Sequence, residues 1–554
     1  MRKKKQDITE LLLIVGIFIN VNIIGSVYFF RIDFTEDKRH SVSEAAREIM
    51  ANVEEKLYVE VFLDGDLTPN YERLKRAIRE KLNQLSVYAR GHLQIKFTDP
   101  ASEEDENIRK RLYAQLVQKG ITPKYFLEEK NGKKTEKYIF PGAIISYKER
   151  EVSANFLKGN SILPEQRLVH QAVENVEFEF LNAIRKLTNK DFKSVAIIEG
   201  HGELSREELM EATNALNENY ATERINLSTD TNLSRFSAII VAGGTTKWTE
   251  QEKFLLDQYI INGGRLLILQ DPTDVRKDSL QKGVTYSLIK DINLNDLLFK
   301  LGVRINPALV TDVSSSVTYV ATGLSGEMQL LNFPYYPILY NYSSHPIVKN
   351  LDAMQARFAG TIDTVKAVGI TKIPLVFTSK QSKIINAPSQ ISLESLKKDL
   401  QMEDYNQSYL PVVYLLEGKF TSLYKNRPSP IDGTKVTVQN KASKVIVCAD
   451  VDLIRNEYNY RINKPVPLGY NTETRYLFSN KDFILNAIDY LCDQKIIYAK
   501  AKEIKLRPLD TAIINNRDER IWWQYVVNLI LPISSILLLA LALNILRKKK
   551  YTRF

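Results

Sequence analysis

The residues best placed to do chemistry are Glu199-Gly200-His201-Gly202-Glu203, where an imidazole stands between carboxylates and two glycines free the backbone to turn sharply. Three chemistries fit that composition. Gly200 to Ser205 reads G-x-G-x-x-S, close to the G-x-G-x-x-G turn that lets a backbone approach a pyrophosphate, and Glu223 stands where a ribose carboxylate would be. The third glycine is missing, however, and the flanking glutamates would repel phosphate. Glu199, His201 and Glu203 also alternate, so they could face one way as metal ligands or as the acid and base of a hydrolase. Zinc needs three or four converging ligands, and His40, His92, His170 and His345 each sit alone in the sequence. The remaining possibility is a turn whose polar groups satisfy one another, and it leaves this stretch the best candidate ligand or partner edge, because open α/β sheets bind ligands at strand carboxyl ends. No catalytic residue, metal site or cofactor is assigned.

The elements around that turn predict an α/β domain. SVAII at Ser194–Ile198 reads as a buried strand and Arg206–Asn217 as a helix. Ser237–Val241 and Arg265–Leu269 read as strands on either side of a helix, Glu250–Asn262, with Asp271-Pro272 following the second. Such alternation predicts a mostly parallel sheet with helices on both faces. Leu294–Leu301 reads as a helix, and Ala308–Thr311 is expected to return to the sheet. Pro334 to Pro337 is expected to form an aromatic loop and Gln381 to Lys398 a flexible polar excursion. Strands then resume at Val412–Leu416 and Lys444–Cys448, and Asp482–Cys492 reads as a last helix. The pattern is similar to glutamine amidotransferase sheets, but their nucleophilic cysteine is replaced by Val241-Ala242-Gly243-Gly244. The chain has neither a G-x-S-x-G elbow nor a G-x-x-x-x-G-K-[ST] phosphate loop.

Upstream, Tyr58–Leu63, Tyr71–Tyr88 and Leu93–Thr98 read as a βαβ unit, preceded by a capping box of Ser41 with Glu44. A helix at Glu103–Lys119, extended runs at Tyr138–Tyr147 and Val152–Leu157, and a long helix at Arg167–Leu187 complete a first α/β domain. Cys448 and Cys492 read as small buried residues, with a disulfide between them the alternative.

Both ends of the chain are built for lipid. Leu11 to Phe30 is twenty residues without a charge, behind Arg2, Lys3, Lys4 and Lys5. A cleaved signal peptide is the rival, but the apolar run is long and Tyr28-Phe29-Phe30 suits cleavage poorly. Ile521 to Leu546 is a second uncharged run, entered through Trp522 and Trp523 and followed by Arg547, Lys548, Lys549 and Lys550. The two tips hold most of the formal charge of +10, so the basicity reports topology and argues against a nucleic-acid partner. The expected layout is a cytoplasmic tip and helix at 1–30, a periplasmic α/β domain at 31–190, an amidotransferase-like domain at 191–510 and a second helix with a cytoplasmic tail at 511–554. Leu11, Phe30, Trp522, Trp523 and Leu546 mark the anchors in the inner membrane.

Five segments carry a family resemblance: RIDFTEDKRHSVSEAAREIM after the first anchor, VAIIEGHGE, NGGRLLILQDP, LGVRINPALVTD and SSHPIVKNL. In this order the chain resembles the GldG family, the gliding-motility auxiliary component of an ABC transporter, from first anchor to last. The resemblance implies an auxiliary subunit without catalysis, working with a cytoplasmic ABC ATPase and a polytopic permease in gliding and secretion, and binding a substrate or envelope partner. A structural periplasmic tether is the alternative. The middle domain also resembles one shared with an intraflagellar transport protein, where it serves assembly.

Overall fold

The computed structural model describes residues 12–13, 15–17, 19–20, 42–130, 133–157, 165–189, 192–280, 282–322, 327–397, 400–501 and 521–551. They belong to two units, Met1–Lys502 and Glu503–Phe554.

The first module begins with α1 (Glu44–Ala51), capped by Ser43, whose side chain accepts from the Ala46 N–H at 3.1 Å. The cap is therefore Ser43, with Glu44 already the first helical residue, and the predicted partner Ser41 lies outside the described residues. β1 (Leu57–Val61), α2 (Pro69–Tyr88) and β2 (Leu93–Phe97) form the expected βαβ unit, with Leu57 opposite Leu93 in a parallel register. Pro69 sits in the first helical turn, where its missing N–H costs nothing. After α3 (Glu106–Gln118), the predicted run Tyr138–Tyr147 divides at Pro141, which has no amide to continue a ladder. One half ends the hairpin Lys124–Lys130 and Lys133–Ile139; the other is β3 (Gly142–Tyr147), paired antiparallel with β4 (Arg150–Asn155). The sheet order is β2-β1-β3-β4. Across it lies α4 (Glu165–Thr188), where Phe180 meets Phe156 with ring centroids 4.8 Å apart.

The second module is organised by β5 (Lys193–Ile198), α5 (Met210–Asn217), β6 (Tyr220–Ile225), β7 (Ala238–Ala242), α6 (Glu250–Ile261), β8 (Leu266–Leu269) and α7 (Asn295–Leu301). It continues with β9 (Asn341–Tyr342), β10 (Ile370–Phe377), β11 (Pro411–Gly418), β12 (Ser443–Cys448) and α8 (Asn480–Leu491). The strands lie in the order β9-β10-β11-β12-β8-β7-β5-β6. From β6 to β12 every pairing is parallel, while β11, β10 and β9 are antiparallel. Alternate side chains divide between two buried layers: Val195 and Ile197 join α5 and α8 on one face, and Ala196 and Ile198 join α6 and α7 on the other. β6 escapes sequence reading because Glu223 and Arg224 interrupt it, which an edge strand tolerates.

Three expectations are corrected. Ala308–Asp312 leaves the main sheet and pairs only with Ser382–Asn386. Of the predicted excursion Gln381 to Lys398, residues 381–397 are described and hold strands at Ser382–Asn386 and Ser389–Ser392, with polar groups satisfied inside the protein. The buried Ser382 hydroxyl lies 3.0 Å from an Asp312 carboxylate oxygen and 2.7 Å from Thr378 Oγ1, and Ile391 is fully buried. Pro334 to Pro337 belongs to a strand, Glu327–Leu339, where Phe333 and Tyr336 pack edge-on against Phe358. Cys448 and Cys492 are free thiols in the core.

The second unit is one helix, with wide π-type turns over Trp522–Ile530 followed by α9 (Leu531–Tyr551). Trp522–Lys548 is 27 residues long, its most apolar 18-residue stretch has a mean hydropathy of 2.5, and it is long and apolar enough to cross a membrane. Of the predicted first span, Leu12, Leu13, Val15, Ile17 and Ile19 are described as helical and exposed. Most of the rest, including Leu11 and Phe30, lies outside the described residues.

The two α/β modules are fastened by a buried charge. Arg185 of α4 reaches both oxygens of Asp489 on α8 at 2.9 and 3.3 Å, and the Tyr220 hydroxyl at the start of β6 donates to the same carboxylate. Removing one partner of such a pair strands the other away from water. Arg185→Met should therefore cost about 3 kcal/mol, and adding Asp489→Leu should recover much of it. Urea unfolding midpoints of the full chain test this, and a double variant no more stable than Arg185→Met would refute it.

Candidate functional site

In the parallel part of the main sheet, chain order across neighbours is second, first, third, fourth, fifth, so direction reverses between β5 and β7. The crevice beyond the carboxyl ends of those two strands is where sheets of this kind bind ligands. The residues that reach it are Glu199 to Glu203 after β5 and Gly243 to Trp248 after β7.

Here the crevice is filled by the protein itself. Gly200 and Gly202 take φ of +125° and +73°, and a Cβ on Gly202 would stand 2.0 Å from Thr245 Oγ1. That close approach allows the His201 carbonyl to accept from Thr245 and Thr246 N–H at 2.7 and 2.9 Å, while the Leu204 N–H donates to the Ala242 carbonyl at 3.0 Å. The turn is thus stitched over the end of β7.

The buried His201 ring lies flat on Trp248, with centroids 4.2 Å apart and planes at 12°. Its Nδ1 is 3.0 Å from Glu203 Oε1, and its Nε2 is 3.1 Å from Glu252 Oε2. Burial works against a charged ring, yet the two carboxylates outweigh it and raise the His201 pKa. The ring is then an imidazolium donating at both nitrogens, stacked on an indole face. Glu203 also accepts the backbone N–H of His201 at 2.7 Å. Glu252 closes a capping box with Thr249 at the start of α6, accepting from its N–H at 3.0 Å and its hydroxyl at 2.6 Å. Burial acts to raise the Glu252 pKa, but the bonds from Thr249 and His201 prevail and lower it.

Both ring nitrogens are thus already engaged, Nδ1 by Glu203 and Nε2 by Glu252. Of the predicted residues, His201 and Glu203 are brought together on glycine hinges. Glu199 turns away to Arg224, 2.9 Å from its Nε. Sequence reading missed Glu252 and Trp248, although Thr249-Glu250-Gln251-Glu252 carries the T-x-x-E capping signature that would have found the glutamate.

A second polar network occupies the same edge of the sheet, where Asp271 follows β8 and Asp450 and Asp452 follow β12. Asp452 accepts from Lys277 at 2.9 Å and Arg455 at 2.8 Å. Burial opposes its charge, but Lys277, Arg455 and Arg357 hold its pKa at about 2. Asp450 is pushed well above the usual carboxylate range by burial, then by Asp452 and Asp271. It accepts the N–H of Arg357 and of Asp452, each at 2.7 Å, and so pins two loops. An aspartate two residues beyond the end of each of two adjacent strands was the available sequence signal.

A family profile described as an ABC-type uncharacterized transport system matches residues 192–487, more than half of the chain. A second profile, for a domain of unknown function, matches residues 36–146. The chain is 22% identical over 566 residues to an uncharacterized protein of Borreliella burgdorferi, covering 99% of this chain and all of that one. Among solved structures it is similar to the mmIFT52 N-terminal domain, at 12% identity, 54% of this chain, 97% of that one and a TM-score of 0.31. It is also similar to a putative ThuA-like protein from Parabacteroides merdae, at 11% identity, 58% of this chain, 94% of that one and a TM-score of 0.28.

The imidazolium gives the fold a pH signature. An unfolded histidine titrates near the ordinary value of 6.5, whereas folded His201 titrates higher. Its stabilisation is therefore complete below about pH 6.5 and is lost as pH rises through the folded value. Glu252, with a lowered folded pKa, contributes in the opposite sense: its share is present above the ordinary 4.5 and is lost on acidification. The thermal midpoint of the full chain should fall from pH 6.5 to 9, and His201→Gln should flatten that slope while costing about 3 kcal/mol by stranding two buried carboxylates. An unchanged slope in the variant would refute the imidazolium.

Proposed function

This chain belongs to the family described as an ABC-type uncharacterized transport system, and from that premise we propose a non-catalytic auxiliary subunit of a bacterial transporter of the gliding-motility kind. In this proposal a cytoplasmic ATPase supplies the energy, a polytopic permease supplies the path, and the present chain supplies an α/β body outside the cytoplasm. That body, modules 31–190 and 191–510, binds a substrate or an envelope partner. Apolar segments at both chain ends anchor it, and the basic tips beyond them stay inside.

The observation that carries the proposal is the self-filled crevice. The position where related architectures hold a cofactor or a nucleophile is taken by His201, Glu203, Trp248 and Glu252, all turned toward one another. A chain so arranged recognises and connects, and leaves turnover to its partners. The turn from Glu199 to Glu203 then serves as a rigid edge, with Glu199 and Arg224 the side chains a partner would meet.

Affinity purification of the full chain from native membranes in mild detergent is expected to bring down one ATPase and one polytopic membrane protein. Protease added to intact spheroplasts is expected to digest the body and spare both tips. A chain that purifies alone, or a body digested only after the inner membrane is opened, would overturn the assignment.

A further inference from the structure

One stretch of the sheet's carboxyl edge is neither filled nor neutralised. Beside β8, a cleft of about 580 Å3 opens between Gln270, Pro272 and α7. Ile292 and Leu423 are buried at its apolar wall, and Phe299 on α7 stands 54% exposed at its mouth. Gln270 lines the cleft and is only 7% exposed. Its Nε2 donates to the Asp271 carbonyl at 3.2 Å, but its Oε1 has no donor. A buried acceptor left in that state is unfavourable and marks a place where a donor is missing.

The rim is cationic. Arg427 and Arg304 are already matched, with Asp296 and Asp363, each at 3.2 Å. Lys290 and Lys300 also line the cleft, half-buried; among the described residues neither has a carboxylate within 4 Å, but Lys290 acts at longer range on Asp271, which lines the same cleft, and Lys300 on Asp257. The cleft therefore brings together apolar area, one unpaired acceptor and two lysines without a contacting carboxylate, with Asp271 on the same lining.

We propose that this cleft binds a small amphiphilic anion, with an apolar chain or ring against Phe299 and Leu423, an N–H or O–H donated to Gln270 Oε1, and an acidic group met by Lys290 and Lys300. The size suits a single small molecule, and the place is one that open α/β sheets use for ligands. The inference names a ligand class for the body whose transport role is proposed above. Its biological meaning rests on that proposal, but the binding itself does not.

N-hexanoylglycine is a suitable probe, because it joins a short aliphatic chain, an amide N–H and a carboxylate. Titrated by calorimetry into the full chain in phosphatidylcholine nanodiscs, it should bind saturably at one site per chain. Its methyl ester, which lacks the charge, should bind at least fivefold more weakly, as should Lys300→Glu and Gln270→Leu. Lys300→Glu and the ester carry the test if Gln270→Leu fails to fold. Heat no greater than with empty nanodiscs, or binding equal for acid, ester and Lys300→Glu, would overturn the site. Because the readout needs no ATPase or permease, its failure is separate from failure to copurify them.

Discussion

A positive charge removed from water persists only where opposite charges meet it, and His201 satisfies that condition with a carboxylate at each ring nitrogen. The arrangement depends on backbone as much as on side chains. Gly202 brings the turn within contact of Thr245, that contact holds Trp248 beneath the ring, and the cap of α6 delivers Glu252. Each contribution comes from a different segment, so the interaction sets where the β5 turn, the β7 loop and the start of α6 stand relative to one another. A hydrophobic filler would occupy the same volume, but it would leave the amides and carboxylates of three segments without partners.

The rest of the carboxyl edge follows the same electrostatic logic. At β8 and β12, three aspartates crowd together, and not all can be charged at once. Asp452 takes the cations and keeps its charge, while burial and its neighbours push Asp450 toward the protonated state, in which it still accepts two backbone N–H groups. The edge is thus resolved in two ways, by a cation between two anions at β5 and β7 and by cations on one of several acids at β8 and β12. Beside α7 the unpaired Gln270 Oε1 stands near two lysines that no carboxylate contacts among the described residues.

What could be read from the residues depended on how local the determinant was. The strands β5, β7, β8 and β12 are continuous apolar runs whose burial on both faces is written in composition, and the βαβ unit of the first module announces itself by change of period. The turn at His201 was legible as a place, because glycines and charges after a buried strand have few other uses. Its chemistry was not, since the second carboxylate lies fifty residues away and reaches the ring only once β7 and α6 are folded. Segments read as irregular failed for one physical reason. In Gln381 to Lys398 and in Pro334 to Pro337, polar or proline-rich composition suggests solvent, whereas Asp312 and Phe358 supply partners from elsewhere in the chain. Those contacts leave no periodic trace.

Asp489 ties the first module to the main sheet. The carboxylate is shared by Arg185 on the long helix of one and Tyr220 on the edge strand of the other. After α8 the chain returns to insert Ile496 and Ala499 into the core of the first module, beside Phe180 and Leu187. Sliding one module past the other would expose that apolar surface and leave Arg185 and Asp489 buried without each other, two penalties that add. The shared core and the shared carboxylate therefore make rigid-body motion of the pair cheaper than motion between them.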